Sequence, residues 1–413
     1  MSDSSALSMS RPGSCEDIYY YSAETSKRQC WSSTQNTKYQ QAFANLTGGT
    51  SVLTLSPNNG VQDVVIVMKT NAFPSGTAAN VALPRGWGYS AINRVSFRYG
   101  GSSQFFITGD QLLQNALRRQ PSRSTANDVL TLGGNAAIGS LLETAQYALV
   151  VLTLPHSTPS GVGKAYPFPS DALTQQIQIT CELNPISSIF TNTSGSAINA
   201  AGTSLATAYF QVQQVMLRNQ GDALARRVDM STNAYAYPCE FVQQKVTIPL
   251  VANNAQSVSL SGFRSGEVKS IELWLTPAGN TGGTVVNPFK WALPDSVQLT
   301  YQGDIYARFE NRSSAIWNLV NGNKAPVVDN IETFTGTPPT QAAFLSQWVS
   351  LPFAQTLMPD ETNKILVHGL AIQNGIVQLD IVPPQDSVVY TLNVSYVYNS
   401  TLLLSQGTAE YLF

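Results

Sequence analysis

Charged side chains are scarce in this sequence of 413 residues. Asp, Glu, Lys and Arg make up 12% of it, about half of their usual share in soluble globular proteins. The formal net charge is −2, which gives no general attraction for nucleic acid or anionic lipid. Basic residues form no cluster beyond Arg118–Arg119 and Arg226–Arg227. The composition therefore argues against a specific nucleic-acid groove and favours surfaces that are largely covered by neighbours.

Cysteine is also scarce, and its spacing fits no metal motif. The four residues, Cys15, Cys30, Cys181 and Cys239, include no CxxC pair and no zinc pattern. At this density we expect no scaffold built on disulfides. We expect mostly free thiols, with a Cys15–Cys30 bridge as the one pairing that merits a test.

Long apolar runs are absent. The first 15 residues are rich in Ser and lack an apolar core, so we expect no signal peptide. The longest apolar runs have the length of strands and fall far short of the ~20 residues of a membrane helix. We therefore expect a soluble protein made in a reducing compartment. Its sequons are then expected to be chance matches in a chain rich in Ser, Thr and Asn; they lie at Asn45, Asn192, Asn311, Asn393 and Asn399.

Residues for catalysis are hard to find. The two histidines, His156 and His368, are too few for a metal cluster in either half of the chain. The GVGK run at 161–164 lacks the spacing of a phosphate-binding loop. There is no GxSxG and no HExxH motif. We predict no enzyme activity, no catalytic residue, no metal ligand and no cofactor.

The chain does contain a long internal repeat. VSFRYGG at 95–101 is matched 202 residues later (297 minus 95) by VQLTYQG at 297–303, and both runs alternate apolar and polar residues as half-buried strands do. The strand–turn–strand pattern at 51–71 is likewise matched at 257–277, 206 residues later (257 minus 51). A period near 200 is too long for a solenoid unit. The pattern predicts a duplicated domain.

Short strands separated by turn residues fill both halves. We place an N-terminal arm at 1–44, a first domain at 45–219, a connector at 220–238 and a second domain at 239–413. Predicted strands are 51–55, 61–69, 91–99, 103–107, 147–154, 173–183, 206–217, 245–250 and 388–399. In the last of these, one face is expected to be buried, and its residues are Val388, Tyr390, Leu392, Val394, Tyr396 and Tyr398.

Helices are predicted at equivalent places in the two halves. The first lies between Ile107 and Pro121 with Asp110 as its N-cap, and the second begins at Ser313 and ends near Gly322. The remaining long segments, 70–91, 120–144, 276–295 and 322–341, are expected to be loops. The predicted fold is all-β, with two tandem antiparallel eight-stranded Greek-key jelly rolls and short helices in the loops.

The pattern resembles the double jelly-roll major capsid proteins of tailless icosahedral phages, adenovirus, virophages and large eukaryotic DNA viruses. The resemblance is carried by residues 91–117, in which two strands lead into a short helix with paired leucines, and by residues 294–310 in the second half. It covers about 45–413. It implies a virion protein, made in the host cytoplasm, whose homotrimers form pseudo-hexameric capsomers that tile an icosahedral shell.

The resemblance also implies partners. These are further copies of the chain, penton and minor capsid proteins, and an internal membrane reached through the N-terminal arm, whose aromatic residues include Tyr19, Tyr20, Tyr21 and Trp31. Two alternatives share the predicted strands: a tandem β-sandwich that binds glycans or receptors, as a spike or lectin does, and a two-roll hydrolase that acts through carboxylates.

Overall fold

The structure is a computed structural model, and most of the chain is described. The described residues are 34–55, 60–74, 81–100, 104–118, 123–135, 137–152, 168–170, 173–185, 189–192, 204–217, 228, 234–264, 266–277, 291–310, 348–353, 370–372 and 376–412.

The first half of the chain forms twelve strands within the described part. In order they are β1 (Thr34–Ala42), β2 (Thr50–Leu55), β3 (Gly60–Thr70), β4 (Val81–Leu83), β5 (Ile92–Arg98), β6 (Phe105–Thr108), β7 (Ala137–Ile138), β8 (Tyr147–Leu152), β9 (Phe168–Pro169), β10 (Ile177–Leu183), β11 (Thr191–Asn192) and β12 (Leu205–Leu217). Helices α1 (Trp87–Ser90), α2 (Gly109–Arg118) and α3 (Arg123–Leu132) and a 3₁₀-helix (Gly139–Glu143) lie among them.

These strands form a roll of two antiparallel sheets. Sheet A has the order β1-β12-β3-β8, with β9 also paired to β3, and sheet B has the order β2-β10-β5-β6. A small third sheet, β11-β4-β7, lies beside them. The burial of β2 and β10 alternates residue by residue, so each strand turns one apolar row into the core.

The second half repeats this arrangement. Its strands are β13 (Tyr235–Val242), β14 (Val246–Pro249), β15 (Gln256–Leu260), β16 (Glu267–Pro277), β17 (Ser296–Tyr301), β18 (Asp304–Phe309), β19 (Val349–Pro352), β20 (Leu370–Ala371), β21 (Val377–Val382), β22 (Tyr390–Ser405) and β23 (Thr408–Leu412). Sheet A′ has the order β13-β22-β16-β19, with β14 and β23 paired to β22 and β20 to β16; sheet B′ has the order β15-β21-β17-β18.

The two rolls have the same strand topology. Each strand of sheets A and B finds a counterpart at the same place in A′ and B′, so that β5 corresponds to β17 and β12 to β22. Val95 lies opposite Cys181 of β10, and Val297 lies opposite Ile381 of β21, the counterpart of β10. The predicted all-β double jelly roll is confirmed, and the strands that carry the sequence repeat are equivalent.

The first roll begins earlier than predicted. We placed residues up to 44 in the arm, yet β1 pairs with β12 along its full length, from Thr34 opposite Leu217 to Ala42 opposite Tyr209. The strand was missed because Thr34–Ala42 is polar apart from Tyr39 and Ala42 and lacks the alternation that reveals a half-buried strand. The aromatic residues Tyr19–Tyr21 and Trp31, and the predicted helix at 313–322, lie outside the described residues.

Three local expectations are corrected as well. Residues 70–91 and 120–144 were expected to be loops, but they contain β4, α1, α3, β7 and the 3₁₀-helix. Helix α2 begins at Gly109, so Asp110 lies in its first turn and is not its N-cap. In β22 the face opposite the predicted core row is also buried, since Asn393, Ser395 and Val397 are as inaccessible as that row. Val388, which was expected in the core row, precedes β22 and is exposed.

Candidate assembly interface

The side chain of Gln111 caps the start of helix α2 with its oxygen, which leaves its NH₂ group available for a contact elsewhere. The backbone N–H of Thr108 donates to Oε1 of Gln111 at 3.1 Å, which is the return half of a capping box. The start is tightly packed, because a Cβ on Gly109 would lie 2.1 Å from the carbonyl oxygen of Tyr89 and 2.4 Å from that of Ile92. Glycine is therefore required at the position where β6 turns into α2.

The other end of the Gln111 amide reaches the second roll. Its Nε2 donates to the carbonyl oxygen of Gln243 at 2.8 Å and to Oγ of Ser395 at 2.7 Å, and the side chain is buried. A buried amide is expensive unless its donors and acceptors are paired. One residue thus caps a helix of the first roll and holds that helix against sheet A′.

An ion pair lies beside this contact. Nζ of Lys245, in the turn between β13 and β14, is 2.5 Å from Oδ2 of Asp110. The same ammonium lies 5.7 Å from the ring centroid of Trp274. Both charged side chains are partly buried, so the cost of desolvation offsets much of their attraction. The pair is a second contact of α2 with the second roll.

Aromatic rings also join the two rolls. The ring of Phe105 in β6 lies 5.5 Å from that of Phe241 in β13 and 5.5 Å from that of Tyr411 in β23. Tyr99 also contacts Tyr411, at 6.3 Å with the rings nearly perpendicular. Such geometry adds about 0.5–1.5 kcal/mol per pair beyond the area buried. These rings form the apolar part of the junction between the rolls.

The C-terminal hairpin adds a backbone contact. The turn between β22 and β23 places Gln406 and Gly407 at positive φ, and the carbonyl oxygen of Gly407 accepts from the N–H of Thr174 at 2.8 Å. A Cβ on Gly407 would lie 2.3 Å from Cγ2 of Thr174. The last strand of the second roll is thereby attached to the first.

The face of sheet A′ that α2 covers is polar, and it is buried from solvent. Oε1 of Glu272 accepts from Oγ of Ser270 at 2.8 Å and from Oγ of Ser350 at 3.1 Å. Only a cavity of about 10 Å³ remains there, and it is lined by Gln111, Gln114, Asn115, Val242, Glu272, Trp348, Ser395 and Val397. The rolls therefore meet in a packed wall, as in the core of an obligate interface, although Nε2 of Gln114 and Nε1 of Trp348 are buried there without a hydrogen-bond partner among the described residues.

The structure describes few of the remaining candidates for chemistry. His156, His368 and the 161–164 run lie outside the described residues. Burial raises the pKa of the Cys181 thiol well above its ordinary value, which keeps it protonated and unreactive. Within the described ranges, no three His, Cys, Asp or Glu residues form a group that could hold a metal ion. A search of the same ranges also found no helix long and apolar enough to cross a membrane.

A shallow groove of about 440 Å³ lies on sheet B′ at the ends of β15, β17, β18 and β21. Its lining includes the exposed ion pair of Arg308 and Glu310, with Nη2 and Oε1 2.7 Å apart, and the carboxylate of Asp380. Gln378 donates to Asp380 and to Ser257 close by. No candidate nucleophile and base face one another in it, so the groove has no arrangement that points to a reaction.

The residues of the junction were largely missed at the level of sequence. Thr108-Gly109-Asp110-Gln111 does carry the T-x-x-Q pattern of a capping box, so the start of α2 could have been placed. Nothing local indicates that Gln111 contacts Ser395, 284 positions away. The sequon at Asn393 is buried, and its Nδ2 donates to Oγ1 of Thr276 at 3.1 Å, which agrees with a chance match.

Comparison with solved structures identifies the fold. No protein family and no curated protein matches the sequence. A chain of the PBCV-1 virus capsid matches with a TM-score of 0.65 at 12% identity, over 92% of this chain and 97% of that one. The Sputnik virophage structure matches with a TM-score of 0.54 at 12% identity, over 92% and 88% of the two chains. The mavirus major capsid protein matches with a TM-score of 0.54 at 10% identity, over 93% and 90%. The chain has the double jelly-roll fold of these capsid proteins.

Proposed function

We propose that the chain is a major capsid protein whose homotrimers form the building blocks of an icosahedral virus shell. The observation that carries the proposal is the extent of the fold match, since the chain is covered almost end to end by a capsid chain that is itself covered to 97%. Both jelly rolls are thus included in the match.

The wall between the rolls supports the same proposal. The two rolls are held together by α2, an ion pair and an aromatic cluster. Three such chains around an axis present six rolls, which is the shape that tiles a hexagonal net. The low charge of 12% suits a chain whose side walls are covered by neighbours.

In this proposal the protein is structural and acts in the virion after synthesis in the host cytoplasm. Penton and minor capsid proteins are its further partners, and residues before Thr34 are the segment proposed to reach an internal membrane. The groove on sheet B′ has no assigned part in assembly.

The proposal is tested by the mass of the purified protein in solution. The chain has a mass of 44.5 kDa, so a homotrimer has three times that mass, 133.5 kDa. We expect light scattering to give this value over a wide range of protein and salt concentration, because an obligate interface is not held by surface charge. A monomer under all conditions, with saturable binding to a glycan array, would instead support the alternative of a glycan-binding protein.

A further inference from the structure

Helix α2 turns three amide side chains toward the second roll. Gln111, Gln114 and Asn115 are spaced i, i+3 and i+4, which places them on one side of the helix. All three side chains are buried. A buried amide needs hydrogen-bond partners within the protein, because it loses its bonds to solvent when the helix packs. The contacts of Nε2 with Gln243 and Ser395 meet that need for Gln111.

Two other donors at the junction have no such contact. Nε2 of Gln114 belongs to α2, and Nε1 of Trp348 lies just before β19. Gln114 is 5% exposed and Trp348 is 1% exposed, and neither nitrogen has a hydrogen-bond partner among the described residues. An unpaired N–H group at this depth destabilises the fold. A single acceptor placed between the two donors would satisfy both of them.

The two donors line one small cavity together with a carboxylate. The cavity lies between α2 and sheet A′, has a volume of about 10 Å³, and is lined by Gln114, Trp348 and Glu272 among others. Every residue that lines it is buried. One water molecule needs roughly 10–15 Å³ of space in a protein interior. The cavity therefore has the size of one water molecule.

The carboxylate of Glu272 supplies the acceptor that complements these donors. Its Oε1 accepts from Oγ of Ser270 and from Oγ of Ser350. A carboxylate has about four acceptor positions, so one that binds two hydroxyl groups can also accept from a water molecule. An anion in the cavity would be repelled by this carboxylate, and a cation would meet the N–H groups of Gln114 and Trp348. Water suits both kinds of neighbour, because it donates and accepts.

We infer that one buried water molecule joins the two rolls at this cavity. It accepts hydrogen bonds from Nε2 of Gln114 and from Nε1 of Trp348, and it donates one to the carboxylate of Glu272. Three bonds are the usual number for a buried water molecule. Gln114 belongs to the first roll, whereas Glu272 and Trp348 belong to the second. The water bridge lies within one chain, so it does not depend on the proposed self-association.

A high-resolution structure of the purified full-length chain tests the site directly. We expect one isolated density peak within about 3.2 Å of Nε2 of Gln114, Nε1 of Trp348 and a carboxylate oxygen of Glu272. A site without density, or a direct hydrogen bond between Gln114 and Glu272, would overturn the inference. Oxygen ligands at about 2.0–2.6 Å from the peak would also overturn it, because those distances belong to a metal ion.

Nuclear magnetic resonance of the tryptophan indoles tests the site in solution. The chain has six tryptophans, and the indole resonance that is lost in Trp348→Phe identifies Trp348. Its N–H should show magnetisation transfer from water. Trp87 and Trp274 are matched controls, because their buried Nε1 atoms also have no partner among the described residues and neither side chain lines the cavity. We expect no transfer to these two indoles.

The Gln114→Leu variant removes one of the three inferred partners of the water. We expect the water signal at the Trp348 indole to weaken in this variant. The signal should be unchanged in Gln178→Leu, which alters an exposed residue of sheet B. Circular dichroism melting shows whether each variant is folded. If Gln114→Leu does not fold, the comparison of Trp348 with Trp87 and Trp274 in the wild-type chain decides the question.

The outcomes of the solution experiments are distinct. A water signal at Trp348 that is absent at Trp87 and Trp274, and that Gln114→Leu weakens, supports the bridge. No signal at Trp348, or equal signals at all three indoles, would contradict it. A signal that a folded Gln114→Leu variant leaves unchanged would show that Gln114 does not hold the water, which also contradicts the inferred bridge. None of these results changes the capsid proposal, which light scattering tests separately.

Discussion

Gln111 shows at the scale of one side chain how the two rolls are joined. Its side-chain oxygen Oε1 accepts a hydrogen bond from the backbone N–H of Thr108. Its side-chain nitrogen Nε2 donates to the backbone carbonyl of Gln243 and to Oγ of Ser395 in the other roll. The helix cap and the inter-roll contact therefore depend on different atoms of one residue. A substitution that changes only the donor can separate the two effects.

Gln111→Glu keeps the acceptor for the helix cap and removes the donor to the second roll. We expect it to lower the free energy of unfolding by about 1–3 kcal/mol, because the carbonyl of Gln243 then faces a buried carboxylate. That corresponds to a fall in Tm of roughly 2–4 °C per kcal/mol. Calorimetry measures it, with Gln178→Glu on the exposed face of sheet B as the control.

A lower pH should partly restore the stability of the Gln111→Glu variant. Protonation of the new carboxyl restores an O–H donor toward the second roll, so the difference in Tm from the wild type should shrink as the pH falls toward about 4. A Tm equal to that of the control at neutral pH would mean that the Gln111 contact does not hold the rolls together.

Asp63 gives a pH dependence with a definite sign. Burial raises its pKa above the ordinary 3.8, so the folded chain holds this proton more tightly than the unfolded chain does. Its contribution to stability is fully present below about pH 3.8 and is lost as the pH rises through the raised pKa. At neutral pH the ionised carboxylate of Asp63 therefore lowers the free energy of unfolding.

We accordingly expect Asp63→Asn to raise the Tm at pH 7, by an amount that diminishes on acidification. Thermal melts followed by circular dichroism between pH 4 and pH 7 measure it, and Glu410→Gln on the exposed side of β23 is the control. A variant less stable than the wild type at pH 7 would show that the carboxylate makes a favourable contact there.

At the scale of elements, period-two alternation predicted most strands but missed a strand that has no apolar row. Strands such as β2, β5 and β17 were placed within a few residues because each has one apolar and one polar row. β1 was missed because Thr34–Ala42 has no apolar row, and its place is set by pairing with β12, more than 160 positions away in sequence.

β22 shows a second limit of the local pattern. Its polar row of Asn393 and Ser395 reads as a solvent face, yet it is buried by a helix that belongs to the other roll. The alternation states which row is apolar, and the rest of the fold decides whether the other row meets water or protein. The junction was for this reason outside what the sequence could predict.

At the scale of the whole molecule, the duplication is the feature that organises the account. Two rolls with the same strand topology are joined inside the chain by α2, by the ion pair of Asp110 and Lys245 and by the aromatic rings around Phe105. The fold follows from the repeat that the sequence shows.

The most direct test of the central claim is electron microscopy of the particles or sheets that the purified protein forms. We predict a net of pseudo-hexagonal blocks, each a homotrimer of 133.5 kDa with six rolls around its axis. A map in which the protein is monomeric, or in which its copies pair through a two-fold axis with no closed ring, would contradict the account.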